Sequence, residues 1–305
     1  MTRLPALALP TLLLACCLLT LAGHAAQALS VPAAPGILVL ASDFGLHNEA
    51  VGLCHGAALA VDPRLTIVDL CHTVRPFDVR QASLMLGRTD VFPAGTVFVA
   101  VVDPGVGTAR GAIALRTRQG RLYVAPDNGL LTEVIARQGV EAAVRLDPRR
   151  VNPRWRRGTF DGRDLFSPAG ALLASGKAGL ATLGTALRPA DLVRLPALKA
   201  RVRAADGAII GHFLRTDEPY GNAWTDVPAR DLDRLGIRPG TMLEVEAKGQ
   251  RLAVPFVEAF GDVPEGKPLA YLGSDGTLAF ALNMGDFVRT QAWTEGLEIT
   301  VRMAR

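Results

Sequence analysis

Short apolar runs in the first half of the chain alternate with longer helix-forming segments, and this alternation limits the possible folds more than any other feature. Strands are predicted at residues 37–41, 66–70, 96–102 and 123–125. Helices are predicted at residues 49–61, 78–88, 129–138 and 163–175. Strands that alternate with helices are typical of a parallel sheet covered by helices on both faces. The sequence therefore predicts an α/β fold with a Rossmann-like domain.

The pattern changes beyond a proline-containing boundary at residues 189–196. Turn residues there separate six short β-like segments, at residues 208–214, 242–247, 251–256, 269–272, 277–281 and 297–301. Short strands with frequent turns favour a small antiparallel barrel or sandwich. We therefore predict an N-terminal α/β domain over residues 36–190 and a C-terminal β domain over residues 197–305.

The first 28 residues have the pattern of a secretory signal peptide. Arg3 provides a positive start, residues 6–22 are largely apolar, and residues 26–28 form an Ala-x-Ala cleavage pattern. An uncleaved membrane anchor and a lipoprotein attached at Cys16 are alternatives. The cleavage pattern argues against the anchor, and the apolar residues beyond Cys16 argue against the lipoprotein. We expect secretion, to the periplasm, with residues 1–28 removed.

The charge of the chain excludes one class of partner. A net charge of +4 over 305 residues is small, and the chain has no long run of basic residues. We therefore predict no nucleic-acid partner. After the leader, no stretch reaches the roughly 18 apolar residues that a membrane span needs.

Two cysteines remain after the leader, Cys54 and Cys71, and each is followed by a histidine, His55 or His72. In an oxidising compartment they could form a disulfide, or they could be two structural thiols. A zinc site is not favoured, because adjacent residues on a strand or helix diverge whereas a metal needs converging ligands. The sequence therefore predicts no metal centre.

The third predicted strand ends in an acidic residue and a glycine-rich loop that runs from Asp103 to Arg110. A plain hairpin needs only two to five residues, and the glycine spacing does not match a dinucleotide-binding loop. The loop could bring Arg110 back beside Asp103, where a guanidinium would keep the carboxylate ionised and oriented. This pair is a candidate site, although a structural salt bridge would give the same pattern.

Two further acidic residues lie in loops of the α/β half. Asp43 follows the first strand and could accept hydrogen bonds from two vicinal hydroxyls, as on a ribose, or could cap the next helix. Asp161 lies in a charged loop ahead of the helix predicted at residues 163–175 and could face a pocket. Ligands of parallel sheets bind beyond the carboxyl ends of the strands, which favours a site near these residues.

Polar turns with aromatic residues mark the C-terminal half. Residues 217–224 combine acids, an amide and aromatic rings. The amide of Asn222 could pair with the edge of a base on which Tyr220 stacks. A β-turn with a packed tryptophan is the alternative. Residues 273–276 and 283–285 form similar polar turns next to apolar strands.

Six stretches of the chain occur together in the order found in one family: SDFG, VVDPGVGTAR, PDNGLL, TFDGRDLFSPAG, YGNAWTD and LGSDG…ALNMG. On these residues the chain resembles the S-adenosylmethionine (SAM) hydroxide adenosyltransferases, which are SAM hydrolases related to the fluorinase and chlorinase. The resemblance runs from about residue 37 to residue 302. It implies an α/β domain followed by a β domain, homotrimers with active sites between subunits, and conversion of SAM and water to adenosine and methionine. It implies neither a metal nor a cofactor.

The resemblance also implies a catalytic trio, in which Asp103 and Arg110 match the Asp and Arg of an Asp-Arg-His set that polarises the attacking water. The family pattern is TFHGRD, and this chain has Asp161 in place of the histidine. One interpretation is that Asp161 takes over, by accepting a proton from the water or by pairing with Arg110. The other is a weak or inactive hydrolase that still binds nucleoside. We expect retained activity.

Substrate contacts implied by the resemblance are Asp43, Phe77, Asp217, Tyr220, Asn222, Ser274 and Asn283. Among these, Asp43 matches the ribose-binding aspartate and Asn222 matches the asparagine that contacts adenine. Ser274 matches a contact to the methionine carboxylate, although the neighbouring Asp275 departs from the pattern and would repel that group. The halogenases have a tyrosine in place of the catalytic aspartate and a serine where this chain has glycine, so halogenation is not expected.

Overall fold

The computed structural model describes residues 36–304, which form two β-sheets and several short helices. The predicted leader at residues 1–28 lies outside the described residues. Within residues 36–304, each helix is too short or too polar to cross a membrane.

The first sheet contains seven strands: β1 (Ile37–Ser42), β2 (Thr66–Cys71), β3 (Val97–Val101), β4 (Ala112–Arg116), β5 (Leu122–Pro126), β6 (Ala142–Leu146) and β7 (Gly184–Leu187). Their spatial order is β2-β1-β3-β5-β4-β6-β7. Strands β2, β1, β3 and β5 run parallel to one another. The remaining pairs, β5–β4, β4–β6 and β6–β7, are antiparallel.

Helices cover both faces of this sheet: α1 (Ala50–Val61), α2 (Val79–Leu86), α3 (Thr132–Gln138), α4 (Pro148–Val151), α5 (Ser167–Ala174) and α6 (Leu180–Leu183). Successive side chains of a strand point to opposite faces. Leu38 and Leu40 of β1 accordingly join one apolar core with residues of α1 and α5. Val39 and Ala41 join a second core with residues of α2 and α3. The sheet is thus buried from both sides.

The predicted fold class is confirmed, but the first sheet is mixed rather than parallel throughout. Only residues 117–121 connect β4 to β5, and they turn through a hydrogen bond from Thr117 N to Arg121 O at 2.8 Å. Gly120 has φ +82° in this turn, a value that favours glycine. A connection this short joins antiparallel strands, because a parallel crossover needs a dozen or more residues.

The second sheet is formed by β8 (Arg201–Val202), β9 (Ile209–Asp217), β10 (Asn222–Pro228), β11 (Met242–Ala247), β12 (Gln250–Pro255), β13 (Pro268–Leu272), β14 (Thr277–Leu282) and β15 (Glu298–Met303), with α7 (Ala229–Arg234) and α8 (Phe287–Gln291). The order is β12-β11-β15-β9-β10-β14-β13, with β8 beside β9. Past the end of β12, Phe256 bridges to Ala270 of β13, and Val257 N donates to Ala270 O at 2.9 Å. This contact nearly closes the antiparallel sheet into a barrel.

Strand β10 differs from the sequence prediction, which assigned residues 217–224 to a polar turn. The turn is shorter: Tyr220 N and Gly221 N both donate to Asp217 O at 3.0 Å. Asn222 then begins β10, which pairs with β9. The buried Trp224 belongs to this strand. The β9–β10 hairpin therefore places Asp217 and Asn222 opposite each other.

The predicted helix at residues 163–175 consists of a π-helical turn, Gly162–Phe166, that leads directly into α5. This helix packs very close to β3, because a Cβ atom at Gly170 would lie only 2.2 Å from Val99 Cγ2. The missing side chain at position 170 permits the approach. The same packing brings Asp161, just before the π-helical turn, to the carboxyl end of β3.

Candidate active site

The loop after β3 folds back on itself, so that Arg110 lies against Asp103. Arg110 Nε donates to Asp103 Oδ2 at 2.8 Å, and Arg110 Nη2 donates to the same oxygen. Gly105 N donates to the other oxygen, Oδ1, at 3.2 Å. Gly107 has φ +74°, and its carbonyl accepts a hydrogen bond from Arg157 Nε at 2.7 Å. The glycine turn and this external anchor explain why the loop is longer than a hairpin turn.

Arg110 also reaches a second carboxylate. Its Nη2 donates to Asp161 Oδ2 at 2.8 Å, so one guanidinium bridges two acidic side chains. The side chains of Asp103, Arg110 and Asp161 are 3%, 13% and 8% exposed, respectively. Burial acts to lower the pKa of Arg110, but the bonds to Asp103 and Asp161 outweigh it and raise this pKa. The guanidinium therefore remains charged.

Asp161 has a second partner that the sequence reasoning missed. Trp155 Nε1 donates to Asp161 Oδ1 at 3.1 Å, so each carboxylate oxygen of Asp161 accepts a hydrogen bond. Trp155 lies between Arg154 and Arg156, and the sequence shows there only a basic segment with one aromatic residue. No spacing rule connects Trp155 to Asp161, since the contact depends on the chain reversal between α4 and the π-helical turn.

A cleft of about 220 Å³ adjoins this group and is lined by Arg110, Trp155, Arg157 and Asp161, among others. Ligand pockets usually measure about 300–1,000 Å³. The cleft is therefore smaller than a usual ligand pocket.

Asp43 and Phe77 are held together. Asp43 Oδ2 accepts a hydrogen bond from Phe77 N at 2.8 Å. Phe77 has φ +68°, and its side chain is 69% exposed. The alternative role of Asp43 as a helix cap is wrong, because α1 begins after Glu49 and has no side-chain cap. Asp43 instead fixes the loop that presents the Phe77 ring.

The β9–β10 hairpin brings Asp217 and Asn222 together. Asn222 Nδ2 donates to Asp217 Oδ2 at 3.2 Å, and Asn222 is buried. Tyr220, in the connecting turn, is 68% exposed. The buried amide thus lies beside an exposed aromatic ring at the end of a hairpin.

Ser274 and Asn283 have different surroundings. Ser274 is exposed, and its Oγ accepts a hydrogen bond from Arg88 Nη2 at 2.6 Å. Asn283 Nδ2 donates to Val263 O at 2.8 Å, so this amide binds the backbone of the second sheet. Asp275 Oδ1 accepts hydrogen bonds from Thr277 in the β13–β14 turn.

Two arginines that flank the Trp224 ring were also missed by sequence reasoning, and one of them, Arg88, is the partner of Ser274. The guanidinium carbons of Arg88 and Arg215 lie 4.7 Å and 4.1 Å from the ring centroid of Trp224. Burial, followed by repulsion from Arg88, lowers the pKa of Arg215. Attraction to Asp275 acts in the opposite direction on this pKa, so Arg215 lies near enough to offset the charge of Asp275. Arg88 also links the two halves of the chain, as does an ion pair between Arg75 and Glu295.

The two Cys-His pairs of the sequence do not form a common site. Cys54 and Cys71 are free thiols, and burial raises the pKa of Cys54. The histidines, in contrast, converge: His55 Nε2 and His72 Nε2 lie 2.8 Å and 2.9 Å from Asp69 Oδ1. Burial acts to raise the pKa of Asp69, but the bonds from both histidines outweigh it and lower this pKa.

Two family models match the chain. The model of the SAM hydroxide adenosyltransferase N-terminal domain matches residues 38–184, and that of the C-terminal domain matches residues 211–300. The chain belongs to the SAM hydroxide adenosyltransferase family. This membership confirms the resemblance inferred from the six sequence stretches.

Curated relatives from several organisms cover most of the chain. This chain is 40% identical to the (R)-S-adenosyl-L-methionine hydrolase of Salinispora tropica over 245 residues. The aligned residues cover 80% of this chain and 89% of that protein. The chain is 32% identical to the fluorinase of Nocardia brasiliensis over 292 residues, 88% of this chain and 97% of that protein. The family thus includes relatives named for two different reactions.

A solved structure confirms the fold. An uncharacterized conserved protein from Thermotoga maritima superposes with a TM-score of 0.81 at 33% identity, covering 87% of this chain and 99% of that one. The α/β sheet followed by an antiparallel β-sheet is therefore an architecture that this chain shares with the Thermotoga maritima protein.

Proposed function

We propose that this chain hydrolyses SAM to adenosine and methionine, with Asp103, Arg110 and Asp161 as the catalytic residues. The observation that carries this proposal is the buried bridge in which Arg110 binds both acids at the end of β3. Support also comes from membership of a family whose relatives include proteins named (R)-S-adenosyl-L-methionine hydrolase.

The chemistry that these residues must assist is a single displacement. A water oxygen forms a bond to C5′ while the bond from C5′ to the sulfonium sulfur breaks, and the sulfur keeps the bonding electrons. The water loses one proton. Because the sulfonium leaves as a neutral thioether, the protein has mainly to hold the water in line and to exclude bulk solvent.

In this proposal Asp103 orients the water and accepts its proton. Asp103 Oδ2 is taken by Arg110, whereas Oδ1 accepts only the 3.2 Å hydrogen bond from Gly105 N among the contacts seen here. Oδ1 therefore retains capacity to accept a proton from a water molecule. A carboxylate within hydrogen-bond reach of the attacking water meets the geometric requirement for a general base.

Asp161 in this proposal holds Arg110 through Nη2, the nitrogen that also donates to Asp103. Its two oxygens accept hydrogen bonds from Arg110 and Trp155, which fixes its orientation. Of the two ways in which Asp161 could take over, pairing with Arg110 has direct geometric support. A histidine at this position would supply no negative charge for the guanidinium. In this chain the Asp161 carboxylate supplies that charge and orients Arg110.

Substrate binding in this proposal uses the polar groups described above. Asp43 would accept hydrogen bonds from the ribose hydroxyls, Asn222 would pair with the adenine edge, and Phe77 and Tyr220 would pack on the ligand. Asp217 and Ser274 would contact the methionine ammonium and carboxylate, with Arg88 and Arg215 supplying positive charge near the latter. Asn283 has its amide bound to the backbone, which supports a structural role there.

We further propose that the working form is a homotrimer with active sites between subunits. The exposed rings of Phe77 and Tyr220, and a cleft too small to enclose the substrate, are consistent with a site that a second chain completes. The leader pattern supports export, with the mature protein in the periplasm.

The test is to incubate the purified protein separately with the (R) and (S) sulfur epimers of SAM and to follow adenosine and methionine by chromatography. We expect equal amounts of both products, and no 5′-halogenated nucleoside when chloride or fluoride is added. Asp103→Asn should abolish most of the turnover. Calorimetric binding of adenosine without any turnover of either epimer would instead favour the alternative of a nucleoside-binding protein.

A further inference from the structure

Three side chains with metal-binding atoms converge outside the group formed by Asp103, Arg110 and Asp161. His55 comes from α1, Asp69 from β2, and His72 from the residue after β2. The ligand atoms of these three residues all lie within 4.8 Å of one another. Both imidazoles direct Nε2 at the same carboxylate oxygen, Asp69 Oδ1.

We propose that His55, Asp69 and His72 bind a divalent transition-metal ion of the zinc type. Two imidazole nitrogens and one carboxylate oxygen are a donor set that such ions accept in proteins. Tetrahedral coordination with bonds of about 2.0–2.1 Å puts neighbouring ligand atoms about 3.3 Å apart. The separations of 2.8 Å and 2.9 Å between each Nε2 and Asp69 Oδ1 need to widen by less than an ångström, and no two of the three ligand atoms lie more than 4.8 Å apart.

Ser42 acts as a positioning residue for this site. Ser42 Oγ lies 2.7 Å from His72 Nδ1, and it accepts a hydrogen bond from Phe44 N at 3.3 Å. Ligating histidines generally bind a partner through the ring nitrogen that does not face the metal, which fixes the ring orientation and the tautomer. Ser42 meets this requirement, and its contact leaves Nε2 of the buried His72 facing Asp69.

The hydroxyl of Ser42 suits both the metal-free and the metal-bound state. Without an ion, each Nε2 carries a proton and donates to Asp69, while Ser42 donates to His72 Nδ1. With an ion, Nε2 of His72 is unprotonated, and Nδ1–H donates to Ser42 Oγ. The ring changes tautomer and keeps its total number of protons.

Exposure at one side gives an ion access to the cluster. The His72 side chain is 4% exposed, whereas those of His55 and Asp69 are 30% and 44% exposed. Solvent can therefore supply the remaining ligand, which leaves three protein ligands and one open position. The adjacent Cys-His pairs of the sequence do not favour a zinc site, and the ligands that converge are instead the two histidines and Asp69, which lies between them in the sequence.

This inference does not depend on hydrolysis of SAM, and its test measures binding. Untagged protein is treated with a chelator, dialysed against Zn²⁺, and analysed for bound zinc. We expect one zinc per chain. His55→Gln and Asp69→Asn should each weaken zinc binding by at least about 100-fold, because each removes a ligand rather than an outer partner. His47→Gln changes an exposed histidine outside the cluster and should leave zinc binding unchanged.

A second measurement, the unfolding midpoint, distinguishes zinc binding at this cluster from loose binding elsewhere on the surface. Added Zn²⁺ should raise the unfolding midpoint of the wild type and of His47→Gln, but not that of His55→Gln, since binding to the native state stabilises it. Circular dichroism of the metal-free variants checks that each one folds. Equal zinc affinity in the wild type and His55→Gln, or no stoichiometric zinc in the wild type, would overturn the proposal.

Discussion

Arg110 Nη2 donates to Asp161 Oδ2 across 2.8 Å, and the same guanidinium donates to Asp103. Together with Asp103, the group holds two carboxylates and one guanidinium, so its formal charge is −1. A SAM sulfonium is positive, and buried charges interact more strongly than charges in water. In the proposed reaction, the aspartate at position 161 therefore adds attraction for the cationic substrate, and it also anchors Arg110.

Asp103→Asn should lower kcat by about 100-fold or more, because the amide keeps the shape of the side chain but cannot accept the proton of the water. The rate of adenosine formation under saturating SAM measures this effect. Asp191→Asn is a matched control, since Asp191 pairs only with the exposed Arg188 in the contacts seen here. A variant at position 103 with wild-type kcat would remove Asp103 from the mechanism.

Asp161→Asn should lower kcat by about 10- to 100-fold, since Arg110 then loses a charged partner while the acceptor for Trp155 is retained. Asp161→His should be assayed beside it. If the wild type is active and the asparagine variant is weaker, Asp161 is a working member of the group. Activity in Asp161→His alone would show that the natural chain has lost hydrolysis.

Trp155→Phe tests the contact that sequence reasoning missed. The substitution keeps an aromatic ring but removes the Nε1–H that donates to Asp161. Hydrogen bonds to charged groups contribute about 1.5–3 kcal/mol, so kcat/KM should fall by about 10- to 100-fold. The unfolding midpoint should change little. A purely structural tryptophan would instead lower the midpoint and leave kcat/KM of the folded protein intact.

Asp43→Ala should act mainly on binding. Loss of the carboxylate removes the proposed acceptor for the ribose hydroxyls and releases Phe77 N, so KM for SAM should rise by about tenfold or more while kcat falls much less. Asp43→Asn keeps one acceptor oxygen, so its KM for SAM should lie between those of the wild type and Asp43→Ala. A fall in kcat with unchanged KM would contradict a binding role.

Gly170→Ala tests the packing of α5 on β3. The new Cβ would lie 2.2 Å from Val99 Cγ2 and 3.0 Å from Leu38 Cδ1, and such overpacking costs about 1–3 kcal/mol of unfolding free energy. Gly52→Ala in α1 is the matched control, because a Cβ there contacts nothing within 4 Å. It should be neutral or stabilise by up to about 1 kcal/mol. Thermal unfolding measures both variants.

Local sequence patterns were sufficient for most of the first sheet and for the pair of Asp103 and Arg110. The pair could be predicted because both residues belong to one loop, and a glycine turn between them limits where the chain can go. Strand β10 could not be predicted, since the polar residues around Asn222 favour a turn and only pairing with β9 and β14 makes the segment extended. Local propensity is weak compared with such tertiary pairing.

The partners of Asp161 and the convergence of the histidines required the structure. Trp155 meets Asp161 through a reversal of the chain, and His55 of α1 converges with His72 because both bind Asp69 of β2. These contacts join residues from separate elements, and hydrophobic periodicity carries no information on them. The family resemblance likewise could not predict these contacts, because it implies roles only for residues that match the family's motifs.

The bond from Val257 N to Ala270 O, which nearly closes the second sheet, also bears on self-association. An unpaired strand edge is a template on which strands of other molecules can add and start aggregates. In the second sheet, this bond pairs part of the backbone at the edge strand β13 with the residues that follow β12. In the first sheet β2 remains at an edge, where the charge of Asp69 opposes the addition of a foreign strand. Both sheets thus carry protection against edge-to-edge aggregation at high protein concentration.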